Sequence, residues 1–217
     1  MIKYVVLDVE TKNLGSDIME DNERILSLQL GDATKQELYY YDSKDSQWTL
    51  SMGKKQIASL LPQAVIFTGY NIKGFDMVML KEFLGVKIPE SKMLDLCQSP
   101  RLTQFTCKKK ARLEEVCRMC GIDVSHKQKM DKRAEKYRAR QDIREQARAK
   151  AEDLVRNKRW TPDFAFNYVL DKIAGGRAIF DAYLEFVKSE GQKNTLFYEY
   201  AIGDVISEYQ LLKKLGY

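Results

Sequence analysis

Apolar positions come first in short runs and later in widely spaced stripes, and that change divides the chain. Residues 2–9 (Ile-Lys-Tyr-Val-Val-Leu-Asp-Val) are rich in β-branched side chains and predict a mostly buried strand. Residues 24–31 and 36–42 predict two more, with Gly31-Asp32 and Thr34-Lys35 supplying the turn between them. Lys54 to Leu61 predicts a short helix that stops before Pro62, and Ala64 to Thr68 a fourth strand ending in a turn at Gly69. A helix from about Gly74 to Leu84, a fifth strand over Lys92 to Cys97 and a helix over Ala111 to Cys120, closed by Gly121, complete this part. Antiparallel-type strands followed by alternating helix and strand predict an α/β fold with a mixed sheet.

The second part reads as helix throughout. Met130 to Lys158 has no Gly or Pro and is dense in Ala, Arg, Lys, Glu and Gln. Its apolar positions (Ala134, Tyr137, Ile143, Ala147, Ala151, Leu154) form only a thin stripe, which predicts an exposed or projecting helix, or one completed by a partner. Thr161-Pro162-Asp163 starts another helix with an N-cap, a proline at the first position and an acid in the first turn. Gly175-Gly176 predicts a break before a further stretch from Ala178 to Val187. The last helix spans about Thr195 to Leu215, with Phe197, Ala201, Val205, Leu212 and Leu215 inward.

With 217 residues, the chain has room for one well-buried core and an insertion. It is read as a single domain over 1–217 with a helical insertion at 122–162. No run approaches the ~18 apolar residues of a membrane helix, and residues 1–4 lack a signal-peptide layout, so a soluble, cytoplasmic protein is expected. Four cysteines in a chain this size do not resemble a secreted disulfide framework. Charge is unevenly spread. Between Ser125 and Trp160 thirteen Lys or Arg face six Asp or Glu, a net of +7, so the rest of a +5 chain is slightly acidic.

Three acidic elements carry candidate chemistry. Asp8 and Glu10 stand two apart at the end of the first strand and so share a face. Two anions together at a sheet rim repel unless a cation joins them, and a hard divalent ion takes oxygen ligands; alternatively the pair simply ends the strand in solvent. The second element is the turn Thr68-Gly69-Tyr70-Asn71-Ile72-Lys73-Gly74-Phe75 leading to Asp76, which could equally be an ordinary acidic helix start. The third is Tyr200 and Asp204, stacked at i, i+4 on the edge of the last helix's buried stripe.

In that order and on those element types, Asp-x-Glu-Thr, Asn-x-x-x-Phe-Asp and Tyr-x-x-x-Asp together resemble the DEDD exonuclease superfamily, in the subgroup named for its tyrosine. Thr68 to Leu80 is particularly similar to the matching part of family B DNA polymerase proofreading domains. The resemblance covers 1–120 and 194–217 and does not explain 122–162. It implies an RNase H-like fold with a mixed five-stranded sheet, and a 3′→5′ exonuclease releasing nucleoside monophosphates from single-stranded DNA with two Mg²⁺ or Mn²⁺ ions. Asp8 would bridge both ions, Glu10 and Asp204 would bind the one nearer the attacking water, and Asp76 would hold the other. Four carboxylates balance two divalent ions, which would clamp the attacking and leaving oxygens at ~3.5–4 Å separation. Tyr200, with Glu10, would orient the water rather than deprotonate it, since a phenol titrates near pH ~10. Thr11 and Leu14 would handle the 3′-terminal nucleotide, Asn71 would contact substrate or the turn backbone, and Phe75 would be core. RNA 3′-end trimming is the alternative substrate reading, and a non-catalytic nucleic-acid-binding scaffold the alternative class.

Cys117 and Cys120, with Cys107 and His126, could in principle bind zinc, but Leu113, Val116, Cys117 and Cys120 share one helix face and predict buried thiols. DEDD enzymes with a general-base histidine carry it five residues before the last Asp; this chain has Glu199 there. The basic segment 125–160 has two readings: a solvated arm laced with i, i+4 pairs, or a binder of nucleic-acid backbone, helped by Lys108, Lys109, Lys110 and Arg112. Its thin stripe also suggests self-association through 125–160.

Overall fold

The computed structural model describes residues 3–12, 25–32, 34–41, 49–106 and 111–217. Leu14, Cys107, Lys108, Lys109 and Lys110 lie outside these. The chain is α/β, with five strands in one mixed sheet and seven α-helices among the described residues. The described residues fall into two compact units, one within 3–10, 25–126 and 198–217, the other of 11–12 and 127–197.

The first unit holds the sheet. Strands β1 (Lys3–Thr11), β2 (Ile25–Gly31), β3 (Gln36–Tyr40), β4 (Val65–Gly69) and β5 (Met93–Asp95) lie in the order β3-β2-β1-β4-β5. β2 and β3 pair antiparallel, with Gly31 opposite Gln36; their turn is tied by Asp32, whose Oδ1 accepts from the amides of Thr34 and Lys35 at 2.8 and 3.1 Å. β4 runs parallel to β1, Val6 opposite Thr68, and to β5, Gly69 opposite Asp95.

Alternation along β1 decides which side chains go where. Val5, Leu7 and Val9 join a core with Ile57 of α1 (Thr49–Leu60) and Met79 and Leu80 of α2 (Asp76–Leu84). Tyr4, of the opposite parity, packs against a second core built from Val116 and Cys117 of α3 (Leu113–Met119) and Leu211, Leu212 and Leu215 of α7 (Leu196–Lys214). Asp8 and Glu10 share the parity of Tyr4, so the acids face the side on which α7 lies. Cys117 and Cys120 are core residues, as their helical spacing predicts.

The second unit departs from expectation at two places. The helix expected over 130–158 is two helices, α4 (Ser125–Arg138) and α5 (Gln141–Lys158). No Gly or Pro marks the break. It is held by polar side chains: the Arg140 guanidinium forks onto Asp142 at 3.0 and 2.7 Å, and Arg144 reaches back to the Arg138 carbonyl at 3.4 Å. The thin stripe of α5 is not exposed. Ile143, Ala147 and Ala151 pack on Ala165, Val169, Leu170 and Ile173 of α6 (Pro162–Lys188), so small residues let two helices approach within the chain.

α6 begins as expected, with the Thr161 hydroxyl accepting from the Phe164 amide at 3.4 Å and Pro162 at its start. The break expected at Gly175-Gly176 is absent: α6 runs unbroken for 27 residues. Tertiary packing overrides the helix-propensity cost here, since Ile173, Ala174, Gly176 and Ala178 are all buried. A Cβ at Gly175 would meet nothing within 4 Å. Gly175→Ala should therefore stabilise the protein by ~1 kcal/mol, the helix-interior difference between the two residues. Urea unfolding checks it, and a loss of stability would contradict the packing described.

Ion pairs engage part of the basic segment. Arg133 grips both carboxylate oxygens of Glu185 at 2.8 and 2.6 Å, Arg138 binds Asp171 at 2.8 Å, and Lys136 lies 3.9 Å from Asp181. These partners sit on α6, 33 to 52 residues away in sequence, so this pairing is tertiary, while Arg156 makes the local helical kind with Asp153 at 3.2 Å and Glu152 at 3.9 Å. No helix among the described residues is long and apolar enough to cross a membrane.

Candidate metal centre

Three elements bring acids together. β1 supplies Asp8 and Glu10 at its C-terminal end, and α7 supplies Asp204. One ligand atom from each lies within 4.8 Å of the others, and Glu10 and Asp204 are buried. The geometry of α7 follows from its neighbours: at Gly31 of β2 an added Cβ would fall 2.3 Å from Val205 Cγ1, so helix and sheet meet closely beside Asp204.

Asp76 reaches the same rim from α2. It is 4 % exposed, and its Oδ1 accepts the main-chain N–H of Val9 at 3.0 Å, between the two acids of β1 in sequence. Burial, then the neighbouring charge of Asp8, raises its pKa well above the ordinary 3.8, while the Val9 hydrogen bond opposes the shift. Asp76 is thus held near Asp8 but stands outside the three-acid group.

The turn that delivers Asp76 has a clasp that sequence reading missed. Asp95, at the end of β5, accepts from the amides of Asn71 and Cys97 at 3.0 Å each and of Lys73 at 3.3 Å. Asn71 sits at φ +67°, a left-handed conformation that Asn tolerates, and its carbonyl accepts from Gly74 and Phe75. Of the two roles expected for Asn71, its contacts here are those of the turn. Phe75 is half-buried against the sheet core.

A fifth acid also went unread. Glu208 lies one turn beyond Asp204 on α7 and is 3 % exposed; its Oε1 accepts from the Tyr70 amide at 3.0 Å. Its Oε2 is buried with no hydrogen-bond partner among the described residues. Burial, then the charges of Asp8, Asp76 and Asp204, raise its pKa well above the ordinary 4.5. In sequence, Glu208 looks like surface charge, and only its i+4 spacing from Asp204 hints otherwise.

Tyr200 is half-buried one turn before Asp204, its ring edge-on to that of His126 at 6.2 Å between centroids. His126 meets Asp204, not the cysteines: its Nε2 lies 3.0 Å from Asp204 Oδ1. Thr11 is buried at the end of β1. Arg112 is exposed just before α3, its amide bound to Glu115 at 3.2 Å.

Such a site can hold hard divalent cations. Several carboxylates in low dielectric repel one another, two of them are pushed toward protonation, and one buried oxygen lacks a donor. Oxygen-ligated Mg²⁺ or Mn²⁺ at Asp8, Glu10 and Asp204 would relieve that repulsion. Neither the comparison with protein-family models nor that with curated proteins found a match for this chain.

Proposed function

We propose that the protein is a metal-dependent 3′→5′ exonuclease of the DEDD type on an RNase H-like fold, acting on single-stranded DNA. The observation that carries the reading is the convergence of Asp8, Glu10 and Asp204 within 4.8 Å, supplied by a strand and a helix far apart in sequence. The order of its three motifs supports the exonuclease class, and the similarity of residues 68–80 to proofreading domains supports DNA.

Asp8, Glu10 and Asp204 would hold one cation, and Asp8 with Asp76 a second. Bound there, the ions would acidify water and neutralise charge developing on the phosphodiester. The chain's own contribution is orientation. The Val9 main-chain N–H fixes Asp76 and the strand holds the two β1 acids, while the Tyr200 hydroxyl would turn the attacking water. Tyr200→Phe should then lower turnover about tenfold, ~1.4 kcal/mol, far less than loss of a carboxylate. Full activity would make Tyr200 structural.

The test is a ladder assay with 5′-labelled single- and double-stranded DNA and RNA in Mg²⁺ or Mn²⁺. Shortening from the 3′ end of single-stranded DNA is expected. Internal cuts or 5′ mononucleotide release overturn the reading, and preference for RNA moves the substrate. No cleavage, together with no Mn²⁺ binding by calorimetry, leaves a nucleic-acid-binding scaffold.

A further inference from the structure

His126 is the chain's single histidine. It stands in the first turn of α4, immediately after a tightly held corner. The Asp123 carboxylate accepts from the Ser125 amide at 3.0 Å and from its hydroxyl at 2.9 Å, while the Asp123 carbonyl accepts from Ser207 Oγ of α7 at 3.2 Å. The start of α4 is therefore tied to the helix that carries Asp204.

The ring itself lies on α7. A Cβ built on Gly203 would fall 2.4 Å from His126 Cγ and 2.8 Å from both Cδ2 and Nδ1. Three ring atoms at nearly equal distance mean that the imidazole rests on the backbone at this position, where only glycine leaves room. The ring is 9 % exposed, and its Nε2 reaches Asp204 Oδ1 at 3.0 Å. A carboxylate only accepts, so Nε2 must carry the hydrogen. With one oxygen held, Asp204 loses rotation about its last torsion, and its carboxylate plane is fixed relative to Asp8 and Glu10.

From this we infer that His126 is a positioning residue for the metal centre, presenting Asp204 to the cation through an Nε2–H hydrogen bond that Gly203 makes possible. The inference rests on the metal-centre reading above. It assigns a role to a residue remote from the three motifs, through a contact that sequence spacing did not reveal. Its edge-on contact with Tyr200 brings the same ring against a second candidate site residue. Hydrogen bonds of this kind to ligating groups typically change metal affinity by about 10–100-fold when removed.

The test titrates Mn²⁺ calorimetrically into the full chain and into His126→Ala, His126→Gln and Gly203→Ala. His126→Ala and Gly203→Ala should weaken binding about 10–100-fold. His126→Gln, whose amide nitrogen reaches a similar point, should stay nearer wild type. Gly203→Ala is informative because alanine is the better helix former, so a loss cannot come from helix propensity. A readout without metal uses ¹⁵N-histidine: the lone signal set should report the Nε2–H tautomer in the wild type and change in Asp204→Ala. That measurement stands even if a His126 variant fails to fold.

An Nδ1–H tautomer in the metal-free wild type overturns the inference. So do His126→Ala and Gly203→Ala chains that bind Mn²⁺ as the wild type does, an outcome that leaves the nuclease reading intact. A wild-type chain that binds no Mn²⁺ overturns both.

Discussion

Replacing Asp204 with alanine should reduce 3′-end trimming by about a thousandfold or more, a barrier increase of roughly 4 kcal/mol. Asp204 is the one member of the three-acid group that does not come from β1, so its loss opens the side of the site that α7 closes. Asp8→Ala should be equally severe, because Asp8 is in that group and its charge is also felt by both Asp76 and Glu208. In EDTA, both variants should bind labelled single-stranded DNA much as the wild type does, by fluorescence anisotropy, while circular dichroism reports an intact fold. Turnover within tenfold of wild type in either variant would remove the acids from the mechanism.

Acid and metal should affect the folded protein in parallel. Asp76 and Glu208 have folded pKa values raised above the ordinary 3.8 and 4.5. Above those ordinary values the native state holds protons that the unfolded chain has released, so stability falls as pH rises toward the raised values. Groups lowered by ion pairs and hydrogen bonds, such as Asp32 and Glu37, act the other way, but their contribution is lost only on acidification below their ordinary range. Metal-free protein should thus melt higher at about pH 5 than at about pH 8. Mn²⁺ at a hundred times its dissociation constant should add ~2.7 kcal/mol and reverse that order, because it binds the ionised acids. Glu208→Gln should flatten the slope seen in EDTA. Equal melting at both pH values in EDTA would mean that burial and the neighbouring charges do not hold these carboxyls protonated.

Sequence patterning located all five strands: β1, β2 and β4 by their buried runs of Val, Ile, Leu and Phe, and the half-buried β3 and the short β5 by the turns and helices around them. It also paired Asp8 with Glu10, since strand alternation is local. What it missed depends on distant partners. Glu208 is buried only because the Tyr70 amide and the other acids meet it there, and His126 reaches Asp204 across 78 residues of sequence. The α4–α5 break has no Gly or Pro to announce it; it is made by Arg140, Asp142 and Arg144. The continuity of α6 through two glycines follows from burial, which no local propensity records. The partners of Arg133, Arg138 and Lys136 were hidden for the same reason, since Glu185, Asp171 and Asp181 lie on another helix.

The bond from the Val9 amide to Asp76 has a consequence for how this rim tolerates change. The donor belongs to the main chain, so any residue at position 9 except proline can supply it. The Val9 side chain points the opposite way, into the core with α1 and α2. Position 9 is therefore tied to Asp76 twice, by the main-chain bond and through the core it shares with Met79 and Leu80 of α2, the helix that carries the acid. A new side chain at position 9 keeps the donor, so it acts on Asp76 only by shifting α2 in that core.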